Sequence, residues 1–144
     1  MLVGQFGATL TEKGRLAIPA RFRRELGDKI VVTKWLEGCL VALPQEKFMG
    51  MVQNLIGTED TASLSVRETE RFLLGSAFEA DMDTQGRFVV PQILREYANL
   101  VDDVVFIGLG ERFEIWNKKS WSEKEKLIQE SADQLVEKLV KNRQ

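Results

Sequence analysis

The sequence predicts a mainly β, α+β fold: a pseudo-symmetric β-barrel built from two tandem repeats, with connecting and C-terminal helices. The stretch TEKGRLAIPARFR, which begins at Thr11, returns in outline as DTQGRFVVPQILR, which begins at Asp83. Each copy has the pattern strand, turn, strand, short helix, strand, turn, strand. A single copy is too short to bury a core of its own, so we expect the two copies to share one.

A shift of 72 residues (86 − 14) superposes the two copies. The matching positions are Gly14 with Gly86, Arg15 with Arg87, Pro19 with Pro91, and Arg23 with Arg95. With two further residues inserted, the match continues into a pair of apolar strands. We therefore expect repeat 1 at residues 5–47 and repeat 2 at residues 76–119.

Each copy begins with a turn and a short strand. Gly14 and Gly86 stand where the turn requires a positive φ. Asp83 can accept a hydrogen bond from the backbone two residues on, which tightens the second turn. Pro19 and Pro91 suit the first position of a helix, because the N–H that proline lacks would be unpaired there anyway.

The short helix after each proline is predicted to run for about two turns. Gly27 ends the first helix and Asn99 the second, since glycine and asparagine best tolerate a left-handed backbone. Each helix has two residues four apart that can face the core. These are Phe22 and Leu26 in the first helix, and Leu94 and Ala98 in the second.

Two strands follow each short helix. In copy one they are Ile30–Lys34 and Cys39–Leu43, and in copy two Val104–Leu109 and Arg112–Trp116. Their runs of valine, isoleucine and aromatic residues are typical of buried strands.

A helix over Gln45–Leu55 is expected after copy one, with Phe48, Val52 and Leu55 on one face. A second connecting helix is predicted to begin at Ser65, which forms a capping box with Glu68.

The C-terminal helix is predicted to begin at Ser120, which has Glu123 three residues on. Positions 128, 132, 135 and 139 then form an apolar seam with 4-3-4 spacing. This seam suits packing on a partner helix. Docking on the body of the same chain is the alternative.

Composition narrows the function classes. The 144 residues include no histidine and a single cysteine, Cys39, which excludes an intrachain disulfide, histidine-based catalysis and a thiolate zinc site. Lysine and arginine number 20 against 22 aspartates and glutamates, so any anion-binding site must be local. No apolar run has the length of a membrane span and no secretory signal is visible, so a cytoplasmic protein is expected.

Arginines are the polar residues that recur in both copies. Arg15 and Arg87 each follow a turn glycine at a hairpin tip, and an arginine on a two-stranded ribbon can bond guanine in the DNA major groove. An exposed turn arginine without a role is the alternative. For Arg23 and Arg95 we expect a structural role, covering the core or pairing with a carboxylate.

Carboxylates near the second hairpin raise the question of acid–base catalysis. Glu79, Asp81 and Asp83 cluster there, but the matching positions of copy one are Gly7, Thr9 and Thr11. A catalytic site kept in both copies is therefore not expected. These residues more simply set the turn geometry or orient a nearby arginine.

The doubled G-R-x-x-x-P-x-x-x-R pattern resembles the MraZ family of bacterial transcriptional regulators. The opening MLVGQF and the passage WNKKSW from Trp116 to Trp121 resemble that family as well. The resemblance covers essentially the whole chain. It implies a double swapped-hairpin barrel of the AbrB-like and SpoVT-like type, with both halves in one chain and the subunits in a ring.

The resemblance also implies a function. Family members bind short direct repeats upstream of their own gene, at the head of the division and cell-wall gene cluster, and are found with the nucleoid. Their DNA-contacting motif is D-x-x-x-R, which corresponds to Arg15 in copy one and to Asp83 with Arg87 in copy two. Thr11 replaces the first aspartate and cannot pair with Arg15.

The function that we expect is sequence-specific DNA binding by a transcriptional regulator, with no catalysis, cofactor, metal or small-molecule substrate. The expected DNA-binding residues are Lys13, Gly14, Arg15, Asp83, Gly86 and Arg87. Weak tips arranged on a ring would gain affinity by avidity. The alternative is an oligomeric protein-interaction module of antitoxin-like fold, whose binding would depend little on salt.

Overall fold

The computed structural model describes residues 1–143 and contains strands, helices and one 3₁₀ turn at Leu36–Gly38. The strands are β1 Leu2–Thr9, β2 Arg15–Ala17, β3 Lys29–Lys34, β4 Leu40–Pro44, β5 Phe78–Asp81, β6 Arg87–Val89, β7 Asp103–Gly110 and β8 Phe113–Asn117. The helices are α1 Ala20–Leu26, α2 Gln45–Ile56, α3 Leu64–Leu73, α4 Gln92–Tyr97 and α5 Lys118–Lys141.

Six strands form one antiparallel sheet in the order β1-β7-β8-β4-β3-β5, and β2 pairs with β6 in a separate two-stranded ribbon. The order is the same from either end once each strand of one repeat is exchanged for its equivalent in the other. The predicted pseudo-symmetry is thus present in the strand pairing, and the mainly antiparallel α+β class is confirmed.

The repeats exchange their opening strands. β1 of the first repeat pairs with β7 of the second, and β5 of the second pairs with β3 of the first. Only the β3–β4 and β7–β8 hairpins lie within one repeat, and β4 and β8 join the two hairpins at the centre of the sheet. Neither repeat therefore has a complete sheet of its own.

The main core lies between one face of the sheet and the ribbon with its two short helices. Its fully buried side chains come from both repeats and include Phe22, Leu94, Phe106 and Phe113. Phe22 meets Phe6 edge to face, with ring centroids 5.1 Å apart, and lies 5.4 Å from Phe113. Such aromatic packing makes one core of two short sequences.

A second core covers the opposite face of the sheet. It joins β3, β4 and β8 to α2, α3 and the first turns of α5. Trp35 and Trp116 are buried there, and Trp121 packs on Trp116 with centroids 5.4 Å apart. The central strands of the sheet are thus covered on both faces.

The two short helices form where predicted, but each proline lies one position before the first helical residue, with a non-helical ψ. Pro19 and Pro91 stand immediately before α1 and α4, and the paired apolar residues of both helices are buried. The backbone after each helix turns left-handed, with φ of 73° at Gly27 and 53° at Asn99. An asparagine accepts this conformation more readily than most residues other than glycine.

Both predicted capping boxes were wrong in position. Ser63, not Ser65, caps α3 by accepting a hydrogen bond from the Val66 amide at 3.2 Å. Asn117, not Ser120, caps α5, and its side chain accepts from the Ser120 amide at 3.0 Å. In both cases a capping residue lies earlier in the chain, and the helix begins there.

The predicted face of α2 is only partly buried. Phe48 and Val52 are buried, but Leu55 is 49% exposed, while the next residue, Ile56, packs against the second core. Helix α5 docks through its first turns, where Lys124 pairs with Glu37 at 2.5 Å and Gln5 bonds Glu125 at 2.5 Å. Within residues 1–143, no helix combines the length and apolarity that a bilayer crossing requires.

The ribbon generates a stability prediction. Phe88 is 2% exposed and faces the core, whereas its neighbour Val89 is 52% exposed on the other face. We expect Phe88→Ala to lower the free energy of unfolding by about 3–5 kcal/mol through lost burial and a residual cavity. Val89→Ala, the matched control, should change it by less than about 0.5 kcal/mol. Urea unfolding followed by circular dichroism measures both, and equal losses would contradict this orientation of the ribbon.

Candidate nucleic-acid interface

The β2–β6 ribbon has an inner and an outer face. Leu16 pairs with Phe88 at its centre, and both side chains are buried in the main core. Since side chains alternate along a strand, the residues on either side point outward. Arg15 lies opposite Val89, and Arg87 lies opposite Ala17. The outer face therefore carries one exposed arginine from each repeat.

Arg15 and Arg87 both lie on the outer face of the same short ribbon. They lie diagonally across it, two residues apart along the strand direction, which corresponds to roughly 7 Å. The turn before Arg15 is at one end of the ribbon, and the turn before Arg87 is at the other. We call these turns tip 1, residues 11–14, and tip 2, residues 83–86.

Each tip is bonded to the strand of the other repeat. The Val90 amide donates to the Gly14 carbonyl at 2.8 Å, and the Ile18 amide donates to the Gly86 carbonyl at 2.9 Å. Gly14 and Gly86 have φ of 76° and 77°, the left-handed conformation that the turns were predicted to need. The exchange of strands thus extends to the tips themselves.

Tip 2 is closed by the Asp83 carboxylate. Its Oδ1 accepts hydrogen bonds from the amides of Gln85 and Arg87, both at 2.9 Å. The Gln85 bond confirms the contact predicted two residues along the backbone. Oδ2 accepts from Nε of Arg87 at 2.7 Å, so the same carboxylate also orients the arginine side chain.

The bonds to Arg87 change the titration of Asp83. Its pKa is lowered, first by the hydrogen bond from the Arg87 backbone amide and then by the bond from the Arg87 side chain. Both bonds favour the ionised carboxylate. The carboxylate is thus engaged in the turn, as expected for a residue that sets geometry and orients an arginine.

Tip 1 lacks this carboxylate. The Thr11 hydroxyl accepts from the Arg15 amide at 3.0 Å, in the place of one aspartate oxygen. Among the described residues, Arg15 has no ion pair, so its guanidinium is not held as that of Arg87 is. Lys13 is exposed on the same turn. Glu12 offsets the charge of Lys13, so tip 1 is neutral where tip 2 carries one negative charge, and tip 1 is the less constrained of the two.

Arg23 and Arg95, for which a structural role was expected, lie at this site. Arg95 packs against Gly14, and Arg23 packs against Gly86, so each contacts the tip of the opposite repeat. The only sequence signal was their recurrence at equivalent positions. Their target could not be inferred from it, because strand exchange brings the tips to them.

All six residues expected at the interface lie on the ribbon or its tips. Tip 1 and the start of β2 hold Lys13, Gly14 and Arg15, and tip 2 and the start of β6 hold Asp83, Gly86 and Arg87. Two tandem repeats therefore form a dimer-like unit in one polypeptide, with an arginine from each half on a shared ribbon.

Comparison with known proteins places this unit in a family. The family model described as "MraZ protein, putative antitoxin-like" matches residues 1–71 and again residues 73–143. The protein named transcriptional regulator MraZ from Oenococcus oeni is 41% identical over 143 residues, with 96% of each chain covered. Proteins of the same name from Leuconostoc mesenteroides and Syntrophomonas wolfei are 42% and 39% identical, with 97% of each chain covered.

The chain belongs to the MraZ family of transcriptional regulators. The resemblance stated from the doubled motif is thus confirmed over nearly the full length. The solution structure of PHS018 from Pyrococcus horikoshii covers 80% of this chain and 88% of its own at 19% identity, with a TM-score of 0.33 that is too low to establish a shared fold.

The lowered pKa of Asp83 predicts how stability depends on pH. The stabilisation from its ionised form is fully present above the ordinary aspartate pKa of about 3.9 and is lost as pH falls through the lower folded value. We expect Asp83→Asn to melt below the wild type at pH 7, with the difference shrinking below about pH 4.

Thermal melting between pH 7 and pH 3 measures this difference. Asp133→Asn, on the exposed face of α5, removes the same charge far from the tips and serves as the control. A difference that is independent of pH, or equal for the two variants, would contradict the role given to the Asp83 carboxylate.

Proposed function

We propose that this protein regulates transcription by binding specific DNA sequences through the outer face of the β2–β6 ribbon. The observation that supports this proposal is that the outer face presents Arg15 and Arg87, one from each repeat, and that both are exposed. A two-stranded ribbon fits the major groove, and an arginine there can donate to O6 and N7 of one guanine. Lys13 on tip 1 adds positive charge toward the phosphates.

The positive charge available for DNA is local to the ribbon. The chain as a whole has a net charge of −2, so it is not a general polyanion binder. Attraction must come from the ribbon and its tips. Asp83 orients Arg87 before DNA arrives, which lowers the entropy lost on binding.

We further propose the operator and location that the family resemblance implies. The DNA would be short direct repeats in the promoter of the protein's own gene, at the head of the division and cell-wall gene cluster. The protein would act in the cytoplasm, in association with the nucleoid. Membership of the MraZ family supports this proposal.

The finer architecture is part of the proposal. We propose that the sheet and the ribbon act as a double swapped-hairpin barrel, with functional units at residues 5–47 and 76–119. The crosswise pairs β1–β7, β3–β5 and β2–β6 support it. The outer strands β1 and β5 have no ladder between them in the described part of the chain.

A ring-like homo-oligomer is proposed from the outer half of α5. Beyond its docked first turns, this half carries apolar side chains that the rest of the chain leaves uncovered. Their exposed fractions range from 38% to 60%, and they are Leu127, Ile128, Leu135, Val136, Leu139 and Val140. The apolar 4-3-4 seam is typical of a helix that packs on another helix. A ring would place several ribbons on one DNA and raise the affinity by avidity.

The protein-interaction module remains the second candidate. The same exposed half of α5 favours it, since an apolar helix face can bind another protein as readily as another copy. Salt distinguishes the candidates. DNA binding weakens steeply with salt because counterions are released at each phosphate contact, whereas apolar docking does not.

The proposed DNA binding gives a prediction about affinity. The Arg15→Ala/Arg87→Ala double variant should fold as the wild type does and lose at least about tenfold in affinity, since a bidentate guanine contact contributes about 1–3 kcal/mol. Fluorescence anisotropy on DNA from upstream of the protein's own gene, with scrambled DNA beside it at several salt concentrations, measures the loss. Each phosphate contact should contribute about −0.9 to the slope of log K against log salt.

Arg67→Ala/Arg71→Ala is the matched control, because it removes two exposed charges from α3 and leaves the ribbon intact. Equal losses in the two double variants would reduce the arginines' role to overall charge. A folded wild type without preference over scrambled DNA would favour the protein-binding candidate instead.

The proposed homo-oligomer gives a prediction about the mass of the protein in solution. Leu135→Glu with Leu139→Glu should reduce the mass in solution to that of a single chain, because two buried charges would oppose helix packing. Light scattering after size exclusion measures the mass, and circular dichroism checks that the helices remain. Met49→Glu, at a residue 48% exposed on α2, is the control and should leave the mass unchanged. An oligomer that survives both changes in α5 would exclude this helix as its interface.

A further inference from the structure

One arginine from each short helix lies against the tip of the opposite repeat. Arg95, on α4, packs on Gly14, where a built Cβ would stand 3.1 Å from Arg95 Cζ and 3.3 Å from its Nε. Arg23, on α1, packs on Gly86 more tightly, and a Cβ there would overlap its Cδ and stand 2.7 Å from its Nε. The two contacts are equivalent under the pseudo-twofold symmetry of the fold.

A hydrogen bond of ordinary length holds Arg95 beside its tip, and a longer polar contact connects Arg23 to the other tip. Arg95 Nε donates to the Val90 carbonyl at 3.0 Å, and the Val90 amide in turn donates to the Gly14 carbonyl at 2.8 Å. Arg95 thus joins the end of β6 to tip 1. Arg23 reaches tip 2 directly, with its Nη1 donating to the Thr84 carbonyl at 3.5 Å.

These contacts involve the residues that stand immediately before the two interface arginines. Gly14 immediately precedes Arg15, and Gly86 immediately precedes Arg87. Glycine has more backbone freedom than any other residue, so the direction of the following arginine depends on how the glycine peptide is held. An arginine side chain packed on that glycine restricts the movement of its backbone.

Alternative roles fit the contacts less well. Within residues 1–143 neither Arg23 nor Arg95 forms an ion pair with a carboxylate. Both are only partly exposed, and Arg23 Nε is buried without a hydrogen-bond partner among the described residues. A residue kept for charge pairing or for phosphate contact would place its guanidinium at a carboxylate or in solvent.

We propose that Arg23 and Arg95 are positioning residues, each holding the DNA-binding tip of the repeat to which it does not belong. This inference rests on the proposed function of the ribbon. Arg95 sets Arg15 through Gly14, and Arg23 sets Arg87 through Gly86. Tip 1 depends on its positioning residue more strongly, because it lacks the carboxylate that holds Arg87 in tip 2.

Hydrogen–deuterium exchange of the full-length protein without DNA tests the crosswise contact. The variants are Arg95→Gln and Arg23→Gln, with Arg24→Gln as the control, since Arg24 is exposed on the same short helix as Arg23. Uptake is followed by mass spectrometry in peptides covering residues 11–17 and 83–89. Circular dichroism and melting establish that each variant is folded.

The expected pattern is crosswise. Arg95→Gln should speed exchange in 11–17 and leave 83–89 unchanged, and Arg23→Gln should do the reverse. Affinity for the upstream DNA should fall about tenfold for Arg95→Gln and less for Arg23→Gln, while Arg24→Gln matches the wild type. Arg95→Lys keeps the charge but cannot bond Val90 while covering Gly14. Exchange in residues 11–17 should therefore be as fast as in Arg95→Gln, and the affinity for the upstream DNA should be as weak. If Arg95→Gln does not fold, Arg95→Lys tests the inference in its place.

Three results would overturn the inference. Uniform changes in both peptides, or changes only within the arginine's own repeat, would show a general structural role. Weaker DNA binding with unchanged exchange, restored by Arg95→Lys, would show that the charge itself contacts DNA. Crosswise exchange in the variants, together with a wild type that binds no specific DNA, would retain the contact but reject the proposed function and with it the role of the contact in DNA binding. This outcome is distinct from the first two, in which the wild type still binds specific DNA.

Discussion

Strand exchange between the repeats is the constraint on which the rest of the structure depends. β1 completes the sheet beside β7, and β5 does the same beside β3, so removing either repeat leaves the other with an open edge. The main core draws its buried side chains from both repeats for the same reason. Short repeats that would each expose too much surface become one stable unit when they share the burial.

The exchange also builds the candidate interface. β2 and β6 have three residues each, too few for an independent ribbon. Phe88 and Leu16 hold them on the core from below, and tip bonds to Val90 and Ile18 extend the pairing at both ends. The strands that carry the outward arginines are therefore held by burial and hydrogen bonds, although they are short.

Much of this could be predicted from the sequence because it is local. The turn glycines, the prolines before α1 and α4, and the left-handed Asn99 follow from backbone preferences of single residues. The repeat itself indicated a shared core. The starts of α3 and α5 were misplaced because serine or asparagine stands at more than one suitable position, and packing chooses between them.

What the sequence could not show is non-local. Nothing in residues 11–17 says that β2 pairs with β6 and not with a neighbour in its own repeat. The contacts of Arg23 and Arg95 depend on that choice, so spacing alone could not distinguish them from ordinary helix arginines. The position of the two interface arginines on one face follows from register, which only the folded chain determines.

The difference between Thr11 and Asp83 gives the ribbon a polarity. A homodimer of identical repeats would present the same side chains after a half-turn, and its preferred DNA would be an inverted repeat. Here one end carries a carboxylate-held arginine and the other a freer arginine beside a lysine. Joining the halves in one polypeptide lets each end change by its own mutations, so the two ends of the ribbon need not present the same side chains.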